Sequence, residues 1–208
     1  MAVQFNNDLL DQYFAPGIST FREADIPHLD GKTSEAPHWL SNHFLNSILG
    51  NRYKPLWRQL AVIFLFRSQC AVQGYLDARS KTLEFFEKSS DGRPATGLYF
   101  RALADWEKVI LNLQIALDVF TKVIPSHDPG EDGESLRRMA NRIKHVGEDM
   151  VTDKHPESLT VPLWMTREGL ETRTAKLSYS QIAENLMEMG AACDILALPA
   201  ASPLEPSE

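Results

Sequence analysis

The chain has 208 residues, 43% of them hydrophobic, with 28 acidic and 21 basic side chains and a formal net charge of −7. That length and composition suffice for one sizeable hydrophobic core and are ordinary for a globular protein. The negative charge repels nucleic acids and anionic membranes, so any nucleic-acid contact requires a local basic patch.

The sequence also bears on location and cofactors. Residues 1–8 have neither a basic start nor an apolar run, so no signal peptide is predicted, and the longest apolar run, 60–66, is too short to span a bilayer. Cys70 and Cys193 fall in apolar helical patterns and are expected to be buried free thiols of a reducing compartment. No CxxC or Cys/His cluster occurs, so no metal or other cofactor is predicted. The expected location is cytoplasmic.

The first part of the chain is predicted to pass from an irregular arm into helices. Residues 1–33 carry prolines and glycines with weak periodicity, which favours an extended arm with one short helix near 8–14. A first long helix is expected over 34–49 with Ser34 as its N-cap, and a second over 55–88. The inward stripe predicted for the second helix is Leu60, Ile63, Phe64, Cys70, Ala71, Gly74 and Ala78.

The third helix, over 95–124, has the most regular apolar pattern in the chain. Its apolar residues alternate steps of four and three, a heptad pattern suited to antiparallel bundle packing. The members are Tyr99, Leu103, Trp106, Ile110, Leu113, Leu117, Phe120 and Ile124. Residues 125–133 contain prolines and glycines and break the pattern, and a fourth helix is expected over 134–151.

Beyond the fourth helix the apolar period changes from that of a helix to that of a strand. Residues 159–166 alternate apolar and polar side chains, a turn follows at 167–169, and 170–177 can return as a second strand, so a β-hairpin is expected at about 158–177. Pro162 favours an edge position for the first strand. Ser178 and Gln181 have capping-box spacing at the start of a last helix that is predicted to end near 198.

These elements predict a mainly α protein: a four-helix up-down bundle with an added β-hairpin and a C-terminal helix. The expected organisation is an irregular arm over 1–33, a single helical-bundle domain over 34–198 and a disordered tail over 199–208. Trp164, on the predicted edge strand, is either an exposed anchor for a partner or part of the packing against the last helix.

Residues 136–150 carry the densest combination of polar groups in the sequence. In a helix, one stripe is apolar and consists of Leu136, Met139, Ala140, Ile143, Val146, Gly147 and Met150. Arg138, Asn141 and His145 fall on the other side at i, i+3 and i+7. A helix that packs its apolar stripe inward therefore presents an arginine, an amide and an imidazole outward together.

These side chains suit metal-independent cleavage of RNA. His145 is the candidate to take the proton of the 2′-hydroxyl or to protonate the leaving 5′-oxygen. Arg138 is the candidate to hold the phosphate through its planar guanidinium, and Asn141 to orient a phosphate oxygen or the imidazole. Candidates for binding the RNA backbone are Arg137, Arg142 and Lys144. The alternative is an ordinary solvated helix face, with Glu148 and Asp149 one turn from His145.

The same segment resembles the signature of HEPN domains, a family of helical bundles found in many RNase toxins and antiviral effectors. Their motif is an arginine followed a few residues later by a histidine on a late helix of a four-helix bundle; here six residues separate Arg138 from His145. The family often has Asn, Asp or His directly after the arginine, whereas Met139 follows here, so Arg142 is an alternative motif arginine. Asn141-x-x-Lys144-His145 also resembles HEPN-like families of unsettled activity.

The resemblance implies a metal-independent endoribonuclease of a toxin or phage-defence system that acts as a homodimer. Two arginine–histidine motifs would face one another in a composite cleft, and cleavage would leave a 2′,3′-cyclic phosphate and a 5′-hydroxyl. The alternative is a non-catalytic bundle of the same kind that binds a protein partner such as an antitoxin, a sensor or a regulatory subunit. The acidic charge, Met139 and the edge strand favour this second hypothesis.

Overall fold

The computed structural model describes residues 7–29, 31–50, 55–89, 95–123, 130–152 and 160–197. Within these ranges the chain forms six α-helices, two 3-10 turns and three short antiparallel strands, so the mainly α prediction is confirmed. The helices are α1 (Asn7–Tyr13), α2 (Trp39–Gly50), α3 (Pro55–Lys88), α4 (Thr96–Val123), α5 (Gly130–Val151) and α6 (Tyr179–Ala197). The strands are β1 (Trp164–Met165), β2 (Gly169–Glu171) and β3 (Lys176–Ser178). The expected disordered tail lies outside the described residues.

The N-terminal arm is built into the core. The short helix predicted near 8–14 is present as α1, and the turns that follow bury apolar side chains in the same cluster as the long helices: Leu10, Ala15, Ile18, Phe21 and Ile26. Phe21 lies against Phe85 of α3 and against Tyr99 of α4, with ring centroids 5.8 and 6.3 Å apart. The arm thus covers one end of the α3–α4 pair.

The predicted start of the first long helix at Ser34 is wrong. The Ser34 hydroxyl donates to the carbonyl of Gly31 (2.7 Å) in a turn, so it does not cap a helix. A 3-10 turn, Ala36–His38, follows, and α2 begins only at Trp39. Pro37 within this turn fixes its own φ and lacks an N–H, which suits a first helical turn and explains why regular helix starts after it.

The two longest helices, α3 and α4, form the antiparallel centre of the fold. The heptad residues of α4 are buried from Tyr99 to Leu117, as predicted. Of the stripe predicted for α3, four members are buried (Phe64, Ala71, Gly74 and Ala78), whereas Ile63 is exposed and Leu60 and Cys70 are half-buried. The buried side of α3 also contains residues that were not predicted: Ala61, Ser68, Tyr75 and Thr82 at seven-residue steps, with Leu65, Val72 and Phe85 beside them.

Hydrogen bonds satisfy polar groups within this centre. Trp106 Nε1 donates to the Thr82 hydroxyl (3.1 Å), which donates to the carbonyl of Ala78 (2.7 Å). Tyr75 packs edge-to-face on Trp106, with ring centroids 5.4 Å apart. Such bonds remove the penalty of burying a hydroxyl and an indole N–H among apolar side chains.

Helix α5 begins four residues earlier than predicted, at Gly130 rather than at 134. Asp132 in its first turn accepts a hydrogen bond from Gln181 Nε2 of α6 (2.6 Å), which fixes this end of α5 to the fold. The acidic side chains of Glu131 and Asp132 also favour the positive end of the helix dipole. The apolar stripe is buried only in the first half of α5, through Ala140; its last member, Met150, and the adjoining Val151 are exposed.

The expected two-stranded hairpin is a three-stranded meander in the order β1-β2-β3. The predicted second strand is split, because the Thr172 hydroxyl accepts the backbone N–H of Ala175 (3.0 Å) and folds residues 172–175 into a turn. Glu171 then pairs with Lys176, and Leu170 with Leu177. Threonine favours strands, but its hydroxyl can also bond locally and start a turn. β1 lies at the edge of the sheet, as predicted.

The last helix follows the sheet directly. Its capping box is confirmed: the backbone N–H of Ser178 donates to Gln181 Oε1 (2.8 Å), and that of Gln181 donates to the Ser178 hydroxyl (3.1 Å). Near its other end, Asp194 accepts from Trp39 Nε1 (2.6 Å), which ties α6 to α2. No helix among the described residues has both the length and the apolar character needed to cross a membrane.

Gly169 provides a test of the sheet. A Cβ at this position would lie 2.1 Å from the carbonyl oxygen of Leu177 and 2.6 Å from the Ser178 Cα, both of them backbone atoms. We expect Gly169→Ala to lower the free energy of unfolding by about 3 kcal/mol, because β2 and β3 must separate to admit the methyl group. Urea denaturation followed by circular dichroism measures the change.

The matched control is Gly97→Ala in the first turn of α4, where an added Cβ meets nothing within 4 Å. It should leave stability unchanged or raise it by up to ~1 kcal/mol. Equal stability of the Gly169→Ala and wild-type proteins would contradict the β2–β3 register.

The two cysteines should differ in reactivity. Both are free, and Cys193 is fully buried, with burial raising the pKa of its thiol to about 12. At pH 8 only about one Cys193 side chain in 10⁴ would be the reactive thiolate, so Cys70, which is half-buried, should react first. Titration with a chromogenic disulfide should release one thiol equivalent from the native protein and two in denaturant. Cys70→Ser should abolish the native reaction; its persistence would contradict the burial of Cys193.

Candidate functional face of helix α5

Helix α5 carries all of the site residues predicted from the sequence, and the structure places the predicted trio on its exposed side. Leu136, Met139 and Ala140 are buried, which turns Arg138, Asn141 and His145 outward. The side chains of Arg138 and His145 are 57% and 59% exposed. We call these three residues, with Glu134 and Glu148 at their two ends, the α5 face.

Glu134 holds two arginines at the N-terminal end of the α5 face. Arg138 Nε donates to Glu134 Oε1 (3.0 Å), and Arg137 pairs with the other carboxylate oxygen. These two hydrogen bonds are the main causes that lower the pKa of Glu134, so the carboxylate is charged at neutral pH. One carboxylate shared by two guanidinium groups leaves one positive charge uncompensated within this trio.

His145 lies at the other end of the face and turns toward Glu148. Its Nδ1 is 3.4 Å from Glu148 Oε2, one helical turn further along, and both side chains are exposed. The carboxylate thus lies on the Nδ1 side of the imidazole ring. Of the two acidic residues that follow His145 in sequence, Glu148 is therefore the one beside its ring.

Asp149 pairs instead with Arg142, the alternative motif arginine. The two residues are seven positions apart, about two helical turns. Their side chains form an ion pair and are only 14% and 15% exposed. A guanidinium that is mostly buried and already bound to a carboxylate is poorly placed to meet an incoming phosphate. The geometry therefore favours Arg138 over Arg142 as the arginine that solvent and ligands can reach.

Arg138 and His145 do not converge within one copy of the chain. Seven residues of α-helix span about 10.5 Å along the axis. Arg138 turns toward Glu134, whereas His145 turns toward Glu148, so the two functional groups point in opposite directions along the helix. One phosphate cannot contact both groups in these conformations.

The charge of the α5 face differs from that of the chain as a whole. Residues 135–147 contain Arg137, Arg138, Arg142 and Lys144 and no acidic residue, in a protein of net charge −7. Lys144 is exposed beside His145 in sequence, while Glu134 and Glu148 bound the segment. Because Glu134 pairs with Arg137 and Arg138, and Asp149 pairs with Arg142, the segment keeps only a small local excess of positive charge.

Among the residues that the structure describes, the other histidines do not form a second site of the same kind. His38 is exposed, and His43 is buried on α2 with its Nδ1 3.0 Å from the carbonyl oxygen of Leu196. His28 is exposed next to Arg79; His127 and His155 lie outside the described residues. Among the described residues, no group of three or more His, Cys, Asp or Glu side chains is arranged to hold a metal ion.

No protein-family model, curated protein or solved structure matches the chain. What the α5 face does is therefore inferred from its own side chains and from the motif resemblance.

Sequence reasoning did not include Glu134 in the site. The sequence contains a signal for it, because Glu134 precedes Arg137 by three positions and Arg138 by four. These are the spacings at which oppositely charged side chains pair on a helix. The contact of His28 with Arg79, 51 residues away, follows from the folding of the arm onto α3 and has no local signal in the sequence.

Removal of the Glu134 carboxylate should strengthen the binding of anions to this face. In Glu134→Gln, the guanidinium groups of Arg137 and Arg138 lose their internal partner, so we expect a several-fold lower Kd for a labelled single-stranded RNA oligonucleotide at low salt. Fluorescence anisotropy measures it. Glu188→Gln on α6 makes the same charge change at another exposed position. An equal gain in both variants would show an effect of net charge alone.

Proposed function

We propose that this protein is a metal-independent endoribonuclease of a toxin or phage-defence type, in which two copies of a HEPN-like four-helix bundle form a composite site. The observation that carries the proposal is the α5 face: an exposed arginine, amide and imidazole on one basic helix segment, with the arginine and the imidazole too far apart to act together in one copy. The order of α2, α3, α4 and α5 supports the bundle, with the motif on its last helix.

A two-fold arrangement of α5 helices would complete the site. If two copies pack these helices antiparallel about an axis near Asn141, midway between Arg138 and His145, each arginine lies opposite the histidine of the other copy. The gap of about 10.5 Å along one helix then no longer separates the acting groups. The second copy would also exclude water from a face that is open in one protomer, which strengthens electrostatic interactions at the phosphate.

In such a site each side chain has one task. His145 Nε2 takes the proton of the 2′-hydroxyl, and the 2′-oxygen attacks the adjacent phosphorus as the P–O5′ bond breaks. The departing 5′-oxygen takes a proton from the imidazolium or from water, which gives a 2′,3′-cyclic phosphate and a 5′-hydroxyl. The Arg138 guanidinium stabilises the pentavalent phosphate, and the Asn141 amide orients a phosphate oxygen. Arg137 and Lys144 hold the flanking RNA backbone.

Cleavage of RNA in EDTA tests the site. His145→Ala and Arg138→Ala should each lower the cleavage rate of total RNA by about 100-fold or more, because each removes a group that acts in the transition state. The control variants His38→Ala and Arg101→Ala should retain full activity. They truncate exposed residues in the 3-10 turn before α2 and on α4. Unchanged cleavage in the His145 and Arg138 variants would overturn the site.

Mixing the two inactive variants tests its composite nature. In a heterodimer of Arg138→Ala and His145→Ala chains, one of the two sites contains an intact arginine and an intact histidine. An equal mixture that exchanges subunits should therefore recover about a quarter of wild-type activity, since half of the dimers are mixed and one site in each is intact. No recovery, with subunit exchange demonstrated, would place both residues in one protomer.

The second candidate is a non-catalytic HEPN-like bundle that binds a protein partner such as an antitoxin, a sensor or a regulatory subunit. The specific observation in its favour is that Arg138 and His145 each already lie beside a carboxylate, as in an ordinary solvated helix face. Under this hypothesis, no form of the protein cleaves RNA, and Arg138→Ala and His145→Ala change only the affinity for the partner.

A further inference from the structure

One stretch of the N-terminal arm is held against α3 by hydrogen bonds from two α3 side chains. Tyr75 donates its hydroxyl to the carbonyl of Pro27 (2.8 Å), and Arg79 Nε donates to the carbonyl of Ile26 (3.0 Å). A third contact joins Arg79 Nη2 to His28 Nε2, which are 2.9 Å apart. The first two bonds end on backbone carbonyls, whereas the third ends on a side chain that can gain a proton.

The contact between Arg79 and His28 requires a neutral imidazole. A guanidinium has only donors and keeps its charge, so His28 Nε2 is the acceptor and the one ring proton lies on Nδ1. A protonated imidazole carries a proton on both ring nitrogens and has no acceptor to offer. Protonation of His28 therefore removes this hydrogen bond and places two positive charges next to each other.

Carboxylates of α3 favour the departure of a charged His28 from Arg79. Glu84 and Glu87 line the same groove as these two residues, and Glu84 also pairs with Lys88 (2.5 Å). The guanidinium repels a charged imidazole at close range, whereas the carboxylates attract it. Both effects move the ring away from Arg79 once it is protonated.

The backbone bonds from α3 limit the extent of this change. Tyr75, whose acidic neighbour on the arm is Asp25, and Arg79 Nε donate to carbonyl groups, which do not titrate. Those bonds persist when the imidazole is charged, so the change is confined to the residues that follow them. These are His28, which is exposed, and Leu29, which is half-buried against the core.

We propose that His28 is a pH-sensitive latch, which holds itself and Leu29 on α3 while its ring is neutral and releases them when the ring is protonated. The latched form binds one proton fewer than the released form, so acid favours release. Histidine is the side chain whose charge ordinarily changes between pH 5 and 8, so the latch operates in that range. The proposal does not depend on RNA cleavage by the α5 face.

Backbone order parameters from ¹⁵N NMR relaxation of the full chain test the latch. We expect the order parameter of the Leu29 amide to be about 0.85 at pH 7.5 and to fall below about 0.6 at pH 5.0. The amide of Trp106, in the middle of α4, should stay near about 0.85 at both pH values, because the core does not depend on the latch.

Two variants fix the side chain at position 28 in one state each. In His28→Gln the amide oxygen can accept from Arg79 at either pH, so Leu29 should stay ordered at pH 5.0. In His28→Lys the side chain is charged and has no acceptor, so Leu29 should be mobile already at pH 7.5, where acid unfolding plays no part. The matched control is His38→Gln, at an exposed histidine before α2, and it should behave as the wild type does.

Three outcomes would overturn the proposal. These are an ordered Leu29 in the wild type at pH 5.0, a mobile Leu29 in His28→Gln at pH 5.0, and an ordered Leu29 in His28→Lys at pH 7.5. The second would show that a different group titrates, and the third that a charge at position 28 does not matter. All three are read from the motion of Leu29, so failure of the latch is distinguishable from failure of the RNase proposal.

Discussion

The antiparallel packing of α3 against α4 is the interaction on which the rest of the fold depends. The arm, α2, α5, the sheet and α6 each bury their apolar residues in the cluster that this pair centres. Trp106 is the best example: its indole packs on Tyr75 of α3 and on Tyr179 of α6, and its N–H bonds to Thr82. The two helices can approach closely because Gly74 of α3 has no side chain. A Cβ at position 74 would lie 3.2 Å from a methyl carbon of Val109 on α4.

This centre also determines which part of α5 is firmly held. The first half of α5 is held by burial of Leu136, Met139 and Ala140 and by the hydrogen bond between Asp132 and Gln181. The second half passes beyond the core, where Met150 is exposed. Arg138 thus lies on the firmly held part of the helix and His145 on the part that has fewer buried neighbours.

The sequence predicted the helices well where local chemistry and packing agree. The bounds of α3 and the heptad stripe of α4 follow from Pro55 and from an apolar period that no polar residue interrupts. The predicted stripe of α3 was right at its small and aromatic members but left out the buried polar residues Ser68 and Thr82. Thr82 is recognisable as a core residue only once Trp106 provides its hydrogen-bond partner. Contacts distant in sequence decide such positions, and a single sequence does not reveal them.

The same distinction applies to the α5 face. Its residues and their outward direction were predictable, because helical periodicity alone separates Arg138, Asn141 and His145 from the buried stripe. The sequence did not reveal which arginine is accessible, because Arg142 is mostly buried and pairs with Asp149, seven residues away. The carboxylates beside Arg138 and His145 differ from Asp149 in their exposure: Glu134 is partly exposed and Glu148 is fully exposed. Solvent therefore screens the attraction between each carboxylate and its partner. An incoming phosphate offers Arg138 a stronger acceptor at little loss, so the ion pairs of the free face are compatible with a phosphate site.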